Sequence, residues 1–338
     1  MLYLIYLLKC YRIVFISKEG IMSFLGMKGT IVPLVTPFTH EEEFDATAMG
    51  RLIEFILEQG ADNLMTTALT GEGPLLTEEE TVEVWHTVFE ITNGRVPIIP
   101  AIISTTTRQA ISLARVAEKN NAPAVMVAPI VPELYAGRSQ NDVYSFYADV
   151  ADAVALPIIL FNYPTLTGVD FVPQFVERLA EIENIQAIKE STADTKRIHG
   201  IKRLLGERIE VICGAPNVAL ESLSLGCDLW LTGVMNNVPR SAQQLMYVME
   251  VMGDLALARD IYFNQILPIV DVMAKNLNPT GTIKAGICAR GVEVGRPRRP
   301  GHHVGSDEDA KIHILMDKIV QAEADTAEKL SKYEQLYK

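Results

Sequence analysis

The sequence predicts a (β/α)8 barrel followed by a helical extension. Between about residues 29 and 253, eight short apolar runs alternate with eight helix-forming segments, which is the span and repeat of a (β/α)8 barrel. Most of the runs are rich in β-branched residues and lack polar–apolar alternation. Strands of that kind are covered on both faces, as in a parallel sheet. A doubly wound open sheet is the competitor. It would usually carry a glycine-rich fingerprint after its first strand, and TPFTHEEEFD at 36–45 has none.

The elements follow in order. GTIVPLVTPF (29–38) is the first strand candidate. DATAMGRLIEFILEQG follows it, with Asp45 as N-cap and apolar residues at helical spacing. NLMTTA is the second strand. TEEETVEVWHTVFEITNG is its helix, capped by Thr77, with acids in its first turn and Gly94 near its end. PIIPAII, AVMVAP, PIILFN, IQAIKES, IEVICG and DLWLTG supply the remaining strands, each with a helical segment behind it. Beyond residue 253, LALARDIYFNQILPIVDVMAKN, TIKAGICARG and the stretch from DEDAK to the carboxyl end read as helices. VGRPRRPGHHVG separates the last two. The expected organisation is an N-terminal extension over 1–28, a barrel over 29–253 and a helical region over 254–338 packed on it.

Composition narrows the function classes. The 338 residues are 49% hydrophobic and 21% charged, a globular balance with material for a sizeable core. The net charge of −12 gives no electrostatic footprint for nucleic acid or an anionic membrane. An anionic small molecule would need local donors. The four cysteines, at 10, 213, 227 and 288, are far apart and the six histidines form no HExxH-type pattern, so no metal site is expected. This cysteine usage fits a reducing, cytoplasmic setting. MLYLIYLLKCYRIVFI is apolar but interrupted by Lys9 and Arg12. It is short for a bilayer span, and its charges come too late for a signal peptide. It reads as an extra or mis-started segment ahead of Met22 or Met27, with a membrane anchor as the alternative.

In a (β/α)8 barrel the chemistry stands at the carboxyl ends of the strands. ALTGEG (68–73) ends the second strand, FNYPTLTG (161–168) the fifth, Lys189-Glu190-Ser191 the sixth, CGAPN (213–217) the seventh and LTGVMNNVP (231–239) the eighth. A lysine in a barrel mouth among apolar neighbours is poorly hydrated, which favours the neutral amine. A neutral amine attacks a carbonyl carbon, and the resulting iminium activates the adjacent carbon. The bland alternative is a lysine that snorkels to solvent or pairs with Glu190. In ALTGEG a threonine hydroxyl and successive backbone N–H groups form a turn suited to a carboxylate, with Glu72 expected to anchor the turn. The alternative is an ordinary glycine loop capped locally by Thr70. Together the two strand ends describe a site for a 2-keto acid.

GTIVPLVTPF, TGEG, FNYPTLTG, AIKES and the CG of the seventh strand, in this order and spacing, resemble the dihydrodipicolinate synthase / N-acetylneuraminate lyase family of class I aldolases. The resemblance runs from about Gly29 to about Gly291. It implies a TIM barrel with a C-terminal helical region, commonly a homotetramer, acting on pyruvate or another 2-keto acid through a lysine imine with no separate cofactor. It gives Lys189 the imine role. Thr70 and the backbone N–H groups of Leu69 and Thr70 would hold the keto-acid carboxylate, and Gly214 and Leu231 would line the pocket.

The departures from the family pattern fall on proton handling. Phe161 stands where the family has its relay tyrosine, Leu69 where it has threonine or serine, and Ile130-Val131 where it has an aromatic pair. The arginine that the synthases place after the fifth-strand proline is Leu166. Tyr163, two residues past Phe161, would face the same way in a regular strand and is a candidate substitute. Glu190, Ser191, Asn236 and water are others. The leading expectation is a lysine-imine aldolase or lyase with an apolar pocket and a non-standard relay. The alternatives are 4-hydroxy-tetrahydrodipicolinate synthase, a sugar-acid hydro-lyase using the same imine, and a catalytically weak keto-acid-binding paralogue.

Overall fold

Eight parallel strands close on themselves in chain order, β1 pairing with both β2 and β8. The computed structural model describes residues 25–129, 139–227, 229–276 and 278–337. The apolar N-terminal stretch and the Ile130-Val131 pair lie outside them. The strands are β1 Gly29–Pro33, β2 Asn63–Thr66, β3 Ile98–Ser104, β4 Val125–Pro129, β5 Ile158–Asn162, β6 Ile185–Glu190, β7 Glu210–Cys213 and β8 Leu229–Leu231.

Two apolar layers explain why these strands do not alternate in sequence. On β5, Ile159 and Phe161 belong to a cluster filling the barrel lumen, while Ile158 and Leu160 pack outward beneath the helices. Both faces are buried, so both are apolar. Met27 joins the lumen cluster and Leu25 packs against it. The predicted first strand runs to Phe38, but the observed one stops at Pro33. Pro33 has no N–H, and after one further ladder bond from Leu34 N–H to Met65 O (2.9 Å) the chain turns away.

The helices have local causes. α1 (Ala46–Glu58) starts where the Asp45 side chain accepts from Ala48 N–H, and its buried face is Met49, Leu52, Ile53 and Ile56. α2 (Glu78–Thr92) opens with a reciprocal capping box between Thr77 and Glu80. α3 to α8 are Thr107–Lys119, Gln140–Ala153, Pro173–Leu179, Lys196–Leu205, Ala219–Ser224 and Pro239–Tyr247. The predicted helix after residue 253 is α9 (Leu255–Ile261), a π-helical turn at Tyr262–Ile266, and α10 (Leu267–Lys275). α11 (Pro279–Ala289) and α12 (Ser306–Tyr337) complete the extension. It is docked by a buried ion pair, Arg290 to Glu323 at 3.0 Å, and by the Ser241 hydroxyl donating to Glu323 at 2.8 Å. Among the described residues, no helix is long and apolar enough to cross a membrane.

One irregularity decides where the sixth strand points its lysine. Ile158 pairs with Ile185, but Ile159 pairs with Ala187. The extra residue, Gln186, changes the facing of everything after it. Ile185 packs in the outer layer, whereas Ala187 points into the lumen. Lys189 keeps the parity of Ala187 and pairs with Phe161 on one side and Ile212 on the other, both lumen residues.

Candidate active site

Lys189 is half-buried, and its amine sits 4.3 Å from the centre of the Phe161 ring. Burial pushes its pKa down to about 7, opposed slightly by Cys213. A ring face attracts a cation by only about 0.5–2 kcal/mol, too little to hold the amine at its ordinary pKa once it is desolvated. Among the described residues Lys189 makes no ion pair. Glu190 has the opposite facing: it is 4% exposed, accepts from Asn162 Nδ2 and from Thr192 N–H, both at 2.7 Å, and is pushed up in pKa by burial. The alternative in which Glu190 neutralises Lys189 therefore fails on geometry.

Gly214, just past β7, is where the lysine stem finds room. A Cβ at this position would stand 2.9 Å from Lys189 Cγ, 2.8 Å from Glu190 O and 2.1 Å from Ser191 Oγ. Any side chain here would displace the lysine or its neighbour. Leu231, fully buried at the end of β8, belongs to the lumen cluster below the mouth, and Leu69 packs against the same cluster from its rim.

Thr70 lies against Gly233, just past β8, where a Cβ would meet Thr70 Oγ1 at 2.8 Å. Lys189, Gly214, Gly233 and Thr70 thus follow one another around the mouth, from β6 past β7 and β8 to β2. Glu72 and Gly73 N–H donate back to Leu69 O and Ala68 O, both at 3.0 Å. Among the described residues, the N–H groups of Leu69 and Thr70 donate to no protein acceptor. They are free to receive an anion.

The turn is held from behind. Thr67, a β-branched residue, has a left-handed φ of 56°, a conformation that costs about 1–3 kcal/mol. Its hydroxyl donates to Ala101 O (2.9 Å) and accepts from Trp85 Nε1 (2.7 Å), which pins it. Glu72, also left-handed at 56°, forms a buried ion pair with Lys284 at 2.8 Å and accepts from Arg298 N–H at 2.9 Å. Burial lowers the Lys284 pKa, and Glu72 opposes this. Glu72 thus anchors the turn, as read from the sequence. Thr67, Lys284 and Arg298 escaped that reading. The left-handed φ of Thr67 has no local signal, and Lys284 and Arg298 are over two hundred residues away from the turn.

The candidate relay groups separate. Tyr163 is 38% exposed, and its ring stacks on Phe161 with centroids 5.9 Å apart and planes 21° apart. The same-side expectation is met even though Tyr163 has left regular strand geometry (φ −141°, ψ 85°) at the start of the turn Pro164–Thr167 that contains Leu166. Asn236 is fully engaged: its Oδ1 accepts from Val35 N–H (3.3 Å) and its Nδ2 donates to Pro33 O (2.8 Å) and Gly233 O (3.0 Å). Ser191 Oγ is buried and, among the described residues, has no hydrogen-bond partner. Also among the described residues, no group of three His, Cys, Asp or Glu side chains could hold a metal ion.

A sequence profile of the dihydrodipicolinate synthetase family matches residues 26–319. The chain is similar to the 4-hydroxy-tetrahydrodipicolinate synthase of Pelobacter propionicus, with 34% identity over 78% of this chain and 90% of the relative. Among solved structures it is similar to the dihydrodipicolinate synthase of Aquifex aeolicus, with a TM-score of 0.79 and 30% identity over 86% of this chain and 97% of that one. It is also similar to the dihydrodipicolinate synthase of Acinetobacter baumannii solved in complex with pyruvate, with a TM-score of 0.80 and 28% identity over 87% of this chain and 99% of that one. With a closed eight-stranded barrel, a helical extension and a lysine at the end of β6, this chain belongs to the dihydrodipicolinate synthetase family of enzymes.

Proposed function

We propose that the protein is a lysine-imine aldolase or lyase acting on pyruvate or a pyruvate-derived 2-keto acid. The observation that carries this reading is the half-buried, unpaired Lys189 amine in the lumen, with its pKa lowered to about 7. Near neutral pH a large share of it is uncharged and nucleophilic. The Thr70 hydroxyl and the free N–H groups of Leu69 and Thr70 take the carboxylate, and Gly214 and Leu231 shape the wall beside it. Lys189 attacks the keto carbon, water leaves, and the iminium draws electrons from the neighbouring carbon so that a carbon–carbon bond there forms or breaks. Phe161 marks the place of the family's relay tyrosine and contributes no hydroxyl. Phe161 and Leu69 make the mouth apolar, which suits an aliphatic or aromatic aldehyde half.

Synthase activity is the second reading, favoured by the names of the similar relatives. Product analysis separates the two, since cleavage releases pyruvate and an aldehyde and synthesis consumes them. A homotetramer in a reducing, cytoplasmic setting belongs to the same proposal. The free thiols of Cys213 and Cys288 agree with that setting. Borohydride reduction in the presence of pyruvate is expected to leave a stable adduct on Lys189. An unmodified protein, or an adduct that persists in Lys189→Ala, would overturn the imine reading.

A further inference from the structure

We propose that Ser191 is the proton relay of this site, taking over from the tyrosine hydroxyl that Phe161 lacks. The inference rests on the imine reading above and names the residue that reading leaves open.

The first argument is placement. Ser191 follows Lys189 by two residues at the end of β6, and Ser191 N–H extends the ladder by donating to Asn162 O at 3.0 Å. In extended chain, residues two apart face the same way, so Ser191 turns toward the mouth with Lys189. The Ser191 hydroxyl and the Lys189 stem converge over Gly214: Ser191 Oγ and Lys189 Cγ lie 2.1 and 2.9 Å from the point a Cβ on residue 214 would occupy. The missing side chain at 214 is what leaves room for the hydroxyl.

The second argument is the hydroxyl's own state. It is buried and, among the described residues, has no hydrogen-bond partner. A buried hydroxyl without a partner costs stability, and native structures keep few of them without a reason. Here the cost is met beside a nucleophile, where an uncommitted donor and acceptor has a use.

The third argument is elimination. The Asn236 amide is spent on Pro33, Gly233 and Val35. The Glu190 carboxylate faces away and is spent on Asn162 and Thr192. Thr70 belongs to the carboxylate turn. Tyr163 is 38% exposed and its ring is stacked on Phe161, while the Lys189 amine lies over the Phe161 ring itself.

The step balances. The neutral Lys189 nitrogen forms a bond to the keto carbon while the carbonyl π pair moves to oxygen. The Ser191 hydroxyl gives its proton to that oxygen and takes one from the new ammonium nitrogen, so the serine is regenerated. A second proton, drawn from solvent through the mouth, lets the carbinol oxygen leave as water while the nitrogen lone pair closes the C=N bond.

The test is the rate of imine formation, read by rapid quenching into borohydride with saturating pyruvate, beside the thermal midpoint. In Ser191→Ala the trapping rate is expected to fall by roughly 10²–10⁴, the usual worth of a general acid–base group. The midpoint should stay level or rise, because an unpaired polar group has been removed. Ser191→Thr, which keeps the hydroxyl, should recover most of the rate. A purely structural serine would show the reverse, a lower midpoint with the trapping rate intact. The inference is overturned if Ser191→Ala traps pyruvate within twofold of the natural protein. If the natural protein traps none, the imine reading itself has failed and this inference goes with it.

Discussion

The turn after β2 and the paired ends of β5 and β6 face the same barrel mouth, yet they manage their polar groups in opposite ways. After β2 the groups behind the turn are committed: Thr67 to Trp85 and Ala101, and Glu72 to Lys284 and Arg298. Among the described residues, the Leu69 and Thr70 N–H groups and the Thr70 hydroxyl have no protein partner. Across the mouth, Phe161 presents a bare ring to Lys189, and Ser191 Oγ is buried without a partner. On the proposed function, one region holds an anion rigidly. The other leaves an amine and a hydroxyl unsatisfied. Binding calls for preorganisation and proton transfer calls for groups still free to exchange partners, so the contrast separates holding from reacting.

The largest effect should come from the held region. Glu72→Gln removes the charge that balances buried Lys284, which is 0% exposed. Stranding a buried charge costs about 3–5 kcal/mol. Denaturant unfolding should register a loss of that order, with a raised KM for pyruvate as the turn loosens. A variant of unchanged stability would mean that the turn does not depend on the ion pair.

A smaller effect of opposite sign is expected in the reacting region. Phe161→Tyr returns a hydroxyl to a ring that already lies 4.3 Å from the lysine amine. With Ser191 carrying the proton, imine formation should change little in the natural background, and should rise by roughly tenfold or more in Ser191→Ala, within the range of general acid–base help; stability should shift little in both. A gain of roughly tenfold in the natural background would show that proton transfer is inadequate there and would count against a working Ser191. Stopped-flow comparison in the Ser191→Ala background distinguishes these cases, since there the tyrosine should give its full benefit.

Most of the architecture was legible because it is local. The caps at Asp45 and Thr77, the runs buried on both faces and the lysine closing IQAIKES can each be read within a dozen residues. What escaped is non-local or depends on register. Nothing within β6 announces that Gln186 is an extra residue, although it decides that Lys189 faces inward. Lys284 meets Glu72 only through the closed barrel. The predicted first strand runs too long because VTPF stays mostly apolar after Leu34 has made the last ladder bond. Ser191 was one candidate among several until the neighbours of each could be compared.

The central claim is that a large share of the Lys189 amine is uncharged near neutral pH. Burial holds its pKa near 7, well below the ordinary lysine value of about 10.4. Below that point the amine is protonated and cannot attack, so the rate of pyruvate trapping should fall about tenfold per pH unit on the acid side and level off above it. The deciding measurement is that rate across pH 5 to 10. A limb centred near pH 7 and lost in Lys189→Ala is the expected result. A limb centred near pH 10 would show an ordinary, solvated lysine and contradict the account.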